Sequence, residues 1–409
     1  MKGSEKPASL FTEREKKNKR KKRFCSSIWM RKRQHHNTVL VIMEGDSTIS
    51  SVNISTMSNM TNFPPSAASV DIYSLPLTKG VIWATAILLT AAVLLGVFGN
   101  TMTIIIIRRF RASSSSSALD PYLMMLAVTD LCVVLTGTLL DWIGDATGFH
   151  VNRTHDAACK ITTFVVNVGA GSSAWILVAM TTHRAVSVAW PHRVTVLCTP
   201  RRSWRITLTI VVFFCLAYSH LLYGSGILPS ADRACAMTSK SYARFMLTVW
   251  VNIDIFLFSL LPFVCLLLSN SVLVLKLRAS VRDAGDQFVT TESQQAIRER
   301  KTNSVTLTAI VVSAVFIVLT SPLAFYNIFS FTVANTETSA ADLAFRFFLL
   351  KMFHLIGYFN YSVNFYLYCL TGEKFRKECR KVLCGWRQQA GNRPKKKPTV
   401  EIKDSTHEQ

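Results

Sequence analysis

Charge is scarce in this sequence. Of its 409 residues only 17% are charged and half are hydrophobic, whereas a soluble globular domain carries roughly 25% charge. Acids are scarcer still, since 24 Asp and Glu against 46 Lys and Arg leave a net charge of +22. Such an excess would suit nucleic acid if the bases formed a stripe interleaved with stacking aromatics. They gather instead in the first 33 residues, in short stretches between apolar runs and in the tail, so nucleic acid is excluded as a partner. The ten cysteines contain no C-x-x-C pair and no Cys/His metal spacing. Short alternating segments, which a membrane barrel needs, are missing. So are the internal repeat and paired broken helices of a transporter or channel, which remains a distant alternative. An enzyme is not expected either, because His220, His354 and Asp254 are too scattered to form a nucleophile–base or metal set.

What the chain has in abundance is long apolar runs. Seven reach the 20 or so residues that span a hydrocarbon core, near 81–107, 120–142, 160–189, 205–224, 245–277, 304–331 and 343–370. Lipid offers the backbone no partners, so each must be a helix, and the expected fold is an all-α membrane protein, a seven-transmembrane helix bundle. Bases near the helix ends mark the cytoplasmic side. Arg108, Arg109 and Arg111 follow the first run, Arg193, Arg201, Arg202 and Arg205 the third, Lys276, Arg278 and Arg282 the fifth, and Lys374, Arg376, Lys377, Arg380 and Lys381 the seventh. The intervening loops carry acids instead, among them Asp141, Asp145, Asp156 and Asp232. The N-terminus is thereby expected outside, at the plasma membrane. Sequons at Asn53, Asn59 and Asn152 fall on that outer face as candidate glycosylation sites.

The domain reading is an outer tail at 1–80, a seven-transmembrane bundle at 81–370, an amphipathic membrane-surface helix at 371–386 and a disordered cytoplasmic tail at 387–409. Residues 1–42 carry a basic block from Lys16 to Arg23 that fits poorly before an outer tail, whereas Met43 opens an ordinary one. They are read as an upstream extension absent from the working protein.

An ionisable residue inside a span is costly and stands as a functional hypothesis. Asp130 lies midway along the second run, Asn100 in the first, Ser173 in the third, and Asn360 and Asn364 lie four apart on one face of the seventh. From about residue 81 to 385 this pattern resembles the rhodopsin-like (class A) G-protein-coupled receptors, and in particular invertebrate neuropeptide-type receptors, through the stretch Cys159–Trp204. The resemblance implies that Asp130, Ser173, Asn360 and Asn364 hold a sodium ion. A hydrogen-bond network tying helices together is the other reading. No other cofactor is implied.

The same resemblance pairs Cys159 with Cys235 in a disulfide. It makes Arg184, with His183 and Tyr368, the contact for a heterotrimeric G protein, and Pro262, Phe316, Thr320 and Pro322 the activation core. The segment Gly372–Arg376 starts the eighth helix, with Phe375 and Val382 facing lipid. Cys379 and Cys384 are candidates there for palmitoylation or for free thiols. The chain departs from the family pattern in three places. It reads His183-Arg184-Ala185 for Asp-Arg-Tyr, Leu319-Thr320-Ser321-Pro322 for Cys-Trp-x-Pro, and Phe365 for the proline of N-P-x-x-Y.

Where amine receptors carry an aspartate this chain has Val166, and where opsins carry a retinal-linking lysine it has Tyr358. The outer helix halves offer Asp141, Asn167, Asp254, Tyr326, His354 and Tyr358 as ligand-binding candidates. Carboxylates among aromatics suit a short cationic or amidated peptide. A chemosensory or lipid-mediator receptor of the same fold is the alternative. For Asp254, a ligand contact and an interhelical hydrogen bond both stand.

Overall fold

The computed structural model describes residues 38–41, 50–53, 76–112, 117–228, 234–286, 294–333 and 340–391. Seven long helices and an eighth shorter one dominate. They are α1 (Pro76–Ala112), α2 (Asp120–Thr147), α3 (Asp156–Ala189), α4 (Pro200–Gly224), α5 (240–286), α6 (Gln294–Val333), α7 (Ala340–Thr371) and α8 (Glu373–Gly391). Two antiparallel hairpins complete the described part, β1 (Thr38–Val41) with β2 (Ser50–Asn53) and β3 (Ser225–Leu228) with β4 (Ala234–Met237). The basic block at 16–23, the Asn59 sequon and the tail from 392 on lie outside the described residues.

Helices α1 to α6 are each long and apolar enough to cross a membrane. The seventh is as long but richer in Tyr and Asn, and it packs between α1 and α6. At the centre stands α3, against α2, α4, α5 and α6. Large apolar side chains such as Leu88, Leu94, Leu216, Leu268 and Val318 are exposed on the outer faces, as expected where the surroundings are lipid. Gly169 of α3 lets α2 approach, since a Cβ there would lie 3.2 Å from the Thr129 carbonyl and closer still to Val133. That approach brings the middle of α2 and α3 together around Asp130.

Every helix outruns its apolar stretch, because helix hydrogen bonding continues beyond the hydrocarbon. Thus α1 begins at Pro76 rather than 81. Likewise α2 continues to Thr147, where Gly148 stops it at φ +73°, its N–H bonding the Gly144 carbonyl. The eighth helix runs to Gly391, so the tail expected to be disordered from 387 is helical over its first turn. The β1–β2 pair lies in the segment before α1.

Two of the long helices carry widened turns closed by i→i+5 hydrogen bonds. In α2 the turn is Val134–Thr138. In α5 there are two, Met246–Trp250 and Ile255–Leu260. Pro262 follows directly after the second. It lacks an N–H, so the helix there is already without one regular bond.

Phe375, Cys379 and Val382 recur at helical spacing on α8 and are buried. The Phe375 ring lies 5.8 Å from Phe365 and 5.6 Å from Tyr368. This corrects the expectation that Phe375 and Val382 face lipid: the apolar stripe docks on the foot of α7. Cys379 is buried with it and Cys384 is exposed, so of the two thiols only Cys384 is open to acylation.

Candidate functional site

Asp130 is fully buried midway along α2. Ser173 Oγ of α3 donates to its Oδ1 at 2.5 Å and Asn364 Nδ2 of α7 to its Oδ2 at 2.7 Å. Asn100 of α1 donates to the Tyr361 carbonyl of α7 at 2.9 Å, so four helices are tied at one level. Asn360, one turn before Asn364, is buried but makes no hydrogen bond to Asp130 among the described residues. No cationic side chain pairs with Asp130 among those residues either. A buried carboxylate beside a serine hydroxyl and an asparagine side chain brings together residue types whose oxygens suit a hard cation.

The disulfide Cys159–Cys235 joins the head of α3 to β4, with Cα atoms 5.5 Å apart. Thr163, one turn along α3, places its hydroxyl 3.8 Å from the Cys235 sulfur. A cleft of about 520 Å³, counting space open to solvent, lies at this end of the bundle. Asp141 and Thr136 of α2, Thr162 and Val166 of α3 and Tyr358 of α7 form its walls, with His150 and Asn152 from the loop between α2 and α3. The Tyr358 hydroxyl donates to Asp141 Oδ2 at 2.7 Å. One turn further along α2, Asp145 pairs with Lys351 of α7, the ammonium lying 2.8 Å from one oxygen and 3.1 Å from the other. Thr85 of α1 also donates to Asp145, at 3.3 Å.

At the opposite end, Arg184 of α3 has its Nε buried with no hydrogen-bond partner, and the Tyr368 hydroxyl is buried in the same condition. Among the described residues no carboxylate pairs with Arg184. The His183 ring lies edge-on to Tyr122, with centroids 5.4 Å apart. Thr320 donates its hydroxyl to the Phe316 carbonyl at 2.7 Å, two residues before Pro322, which lies inside the continuous α6.

The sequence pattern of the seven-transmembrane receptors of the rhodopsin family matches residues 99–368. The chain belongs to that family. It is therefore a multi-pass membrane receptor and not an enzyme. It is 21% identical over 338 residues to a neuromedin U receptor homologue, nmur-2, of Caenorhabditis elegans, covering 75% of this chain and 81% of that protein. It is 23% identical over 311 residues to the somatostatin receptor type 1 of Rattus norvegicus, covering 74% and 72%. With sex peptide receptor-related protein 2 of Caenorhabditis elegans it shares 23% identity over 231 residues, covering 51% of each chain.

The receptor's structure brings some of the sequence-derived ligand candidates together and separates others. Asp141 and Tyr358 share the cleft, and the His354 ring lies 6.2 Å from that of Tyr358. Asn167 instead bonds back onto its own helix, donating to the Thr163 carbonyl one turn earlier at 2.8 Å. Tyr326 donates to the Arg346 carbonyl at 3.1 Å and is buried between α6 and α7. Asp254 accepts from the Tyr218 hydroxyl of α4 at 2.5 Å and does not line the cleft. Tyr218 belongs to an aromatic cluster with Phe214 and Trp250, so this carboxylate ties α4 to α5.

Reading the sequence alone missed the Asp145–Lys351 pair. Asp145 was assigned to a loop because the apolar run stops at 142, although an acid four residues beyond Asp141 shares its helix face and a lysine inside the seventh run needs a counter-charge. The Tyr361 carbonyl, which receives Asn100, leaves no sequence signal.

Proposed function

We propose that this receptor lies in the plasma membrane with its N-terminus outside, binds a short extracellular peptide and activates heterotrimeric G proteins. The observation that carries the reading is the cleft of polar and acidic side chains beneath the Cys159–Cys235 bridge. A disulfide persists in an oxidising compartment, which supports an outward orientation of that end. The bases Arg108, Arg109, Arg111, Arg201 and Arg205 flank the other end, as cytoplasmic loops require. Relatives named for neuromedin U, somatostatin and sex peptide support a peptide ligand. A lipid-mediator ligand is less well served by a cleft whose walls carry Asp141, Thr136, Thr162 and His150.

Binding in the cleft shifts the receptor only as far as the ligand prefers one conformation over another. Tyr358 and Lys351 couple the cleft to α7, and Asn364 couples α7 to Asp130. Tyr368, one turn on, and Arg184 hold buried polar atoms without partners among the described residues. Such atoms are the groups with most to gain from a G-protein segment entering between α3, α6 and α7. A sodium ion would be held by Asp130 and Ser173, with Asn360 and Asn364 at hand. Bound there, it supplies the positive charge that no described side chain offers Asp130. If so, agonist affinity falls in sodium by linkage, and Asp130→Asn removes the effect. Affinity equal in sodium and in a bulky organic cation would refute the ion site.

The function is tested by applying a neuropeptide library to cells expressing the receptor, with calcium and cyclic-AMP readouts. Responses to peptides that are absent from untransfected cells support it. Responses to lipids alone would select the alternative.

A further inference from the structure

We infer that the cleft is a socket for one cationic group of the ligand, a guanidinium or an amine, anchored on Asp141. This deepens the functional reading and rests on the cleft being the ligand site.

The argument begins with the backbone of α2. Each residue of an α-helix turns it by about 100°, so the extra residue in the Val134–Thr138 turn rotates all that follows. The rotation is what presents Gly137 and Asp141 on the same cleft wall as Thr136. Two acids then lie one turn apart, and their surroundings separate their roles. Asp145 is paired with Lys351 and receives Thr85, and its side chain is 6% exposed. It is neutralised and closed. Asp141 receives only the Tyr358 hydroxyl, on Oδ2. Among the described residues nothing donates to its Oδ1, and no lysine or arginine pairs with it. Among the described residues the wall therefore carries one carboxylate with no lysine or arginine partner and with one oxygen that accepts no hydrogen bond.

The neutral walls agree with this. Thr136 spends its hydroxyl proton on the Cys132 carbonyl at 2.7 Å, and Thr162 spends its own on the Ala158 carbonyl at 2.7 Å. Both hydroxyls then offer the cleft lone pairs and no proton. These two acceptors beside the Asp141 carboxylate favour a positively charged donor, and a guanidinium brings five N–H groups in a planar fork. An anionic or purely apolar group would leave these acceptors desolvated and unpaired.

The test uses two amidated hexapeptide mixtures, identical except at one position, which is arginine in one and citrulline in the other. Citrulline keeps the shape and loses the charge. Binding to the full-length receptor in lipid nanodiscs is measured for the wild type, Asp141→Asn and Asp145→Asn. The expected result is that the arginine mixture binds roughly 10- to 100-fold better than the citrulline mixture, in line with the worth of a hydrogen bond to a charged group. Asp141→Asn should erase that preference, chiefly by lowering arginine binding, and Asp145→Asn should keep it. Equal binding of the two mixtures by the wild type, or a preference that survives Asp141→Asn, overturns the inference. Val166→Phe, which narrows the cleft, separates this from the functional reading. If it blocks both mixtures equally while charge has no effect, only the cation assignment fails. If it blocks neither, or if neither mixture binds the wild type, the cleft reading falls and the inference with it.

Discussion

Replacing Lys351 by methionine should destabilise the receptor strongly, and the structure sets the scale. The Lys351 ammonium lies 2.8 Å from Asp145. At an effective dielectric near 20 that attraction is about 6 kcal/mol before desolvation is charged against it. The pair is mostly buried, with side-chain exposures of 23% for Lys351 and 6% for Asp145. Without the lysine, the Asp145 carboxylate stays buried beside the Thr85 hydroxyl, 3.3 Å away. Breaking one side of such a pair typically costs about 3–5 kcal/mol, whereas replacing both by apolar residues is often neutral. At the roughly 2–4 °C per kcal/mol of a 150–250-residue protein, the Lys351→Met melting temperature should fall by up to roughly 6–20 °C, less in proportion as this chain is longer. Lys351→Met with Asp145→Leu should recover most of the loss. Thermal unfolding of the wild type, both single variants and the double variant, purified in the same nanodiscs, completes the cycle. A loss under about 1 kcal/mol for Lys351→Met, or a double variant as unstable as the two singles summed, would refute the reasoning.

Three further outcomes follow from other contacts. Asp254→Asn and Tyr218→Phe should lower thermal stability by similar amounts and be non-additive when combined, while arginine and citrulline peptides lose affinity alike; a loss confined to the cationic peptide would return Asp254 to the ligand site. His183→Asp restores an acid beside Arg184, so ligand-free signalling per surface receptor should fall, and a level or raised basal signal would contradict the idea that Arg184 is weakly held at rest. His150 is held below the usual histidine range by burial, then by Arg153 and Lys351, against the opposing pull of Asp145 and Asp141. Its lowered folded value means that it favours the folded state fully above the ordinary pKa of about 6.5 and that this contribution is lost as pH falls below it. The drop in melting temperature between pH 7.5 and 5.5 should therefore shrink in His150→Gln, and an unchanged drop would exclude His150 as its source.

The spans were legible because hydrocarbon thickness dictates run length, and the Asp130 cluster because a carboxylate in a span demands neighbours such as Ser173 and Asn364. Helix ends were less so, since hydropathy reports where lipid stops and not where the backbone stops bonding itself; Asp145 was lost to a loop for that reason. Facing directions past a widened turn were not legible at all. Each i→i+5 turn shifts the phase of everything beyond it by about 100°, and α5 has turns at Met246–Trp250 and Ile255–Leu260 on either side of Asp254. No single helical period extrapolates through them, so whether Asp254 met a ligand or Tyr218 was open until the helices were placed. The docking of Phe375 on Phe365 and Tyr368 was hidden similarly, because an apolar stripe on α8 serves lipid and protein equally well.

The central claim is that this chain passes a peptide signal to a G protein through Arg184. Its most direct test is nucleotide exchange on purified heterotrimeric G proteins, measured with the receptor in nanodiscs and peptides selected from the neuropeptide library. Peptide should accelerate exchange in the wild type, and Arg184→Ala should abolish the acceleration while peptide binding persists. No acceleration by any peptide that binds, with any G-protein class, or full acceleration by Arg184→Ala, would contradict the account.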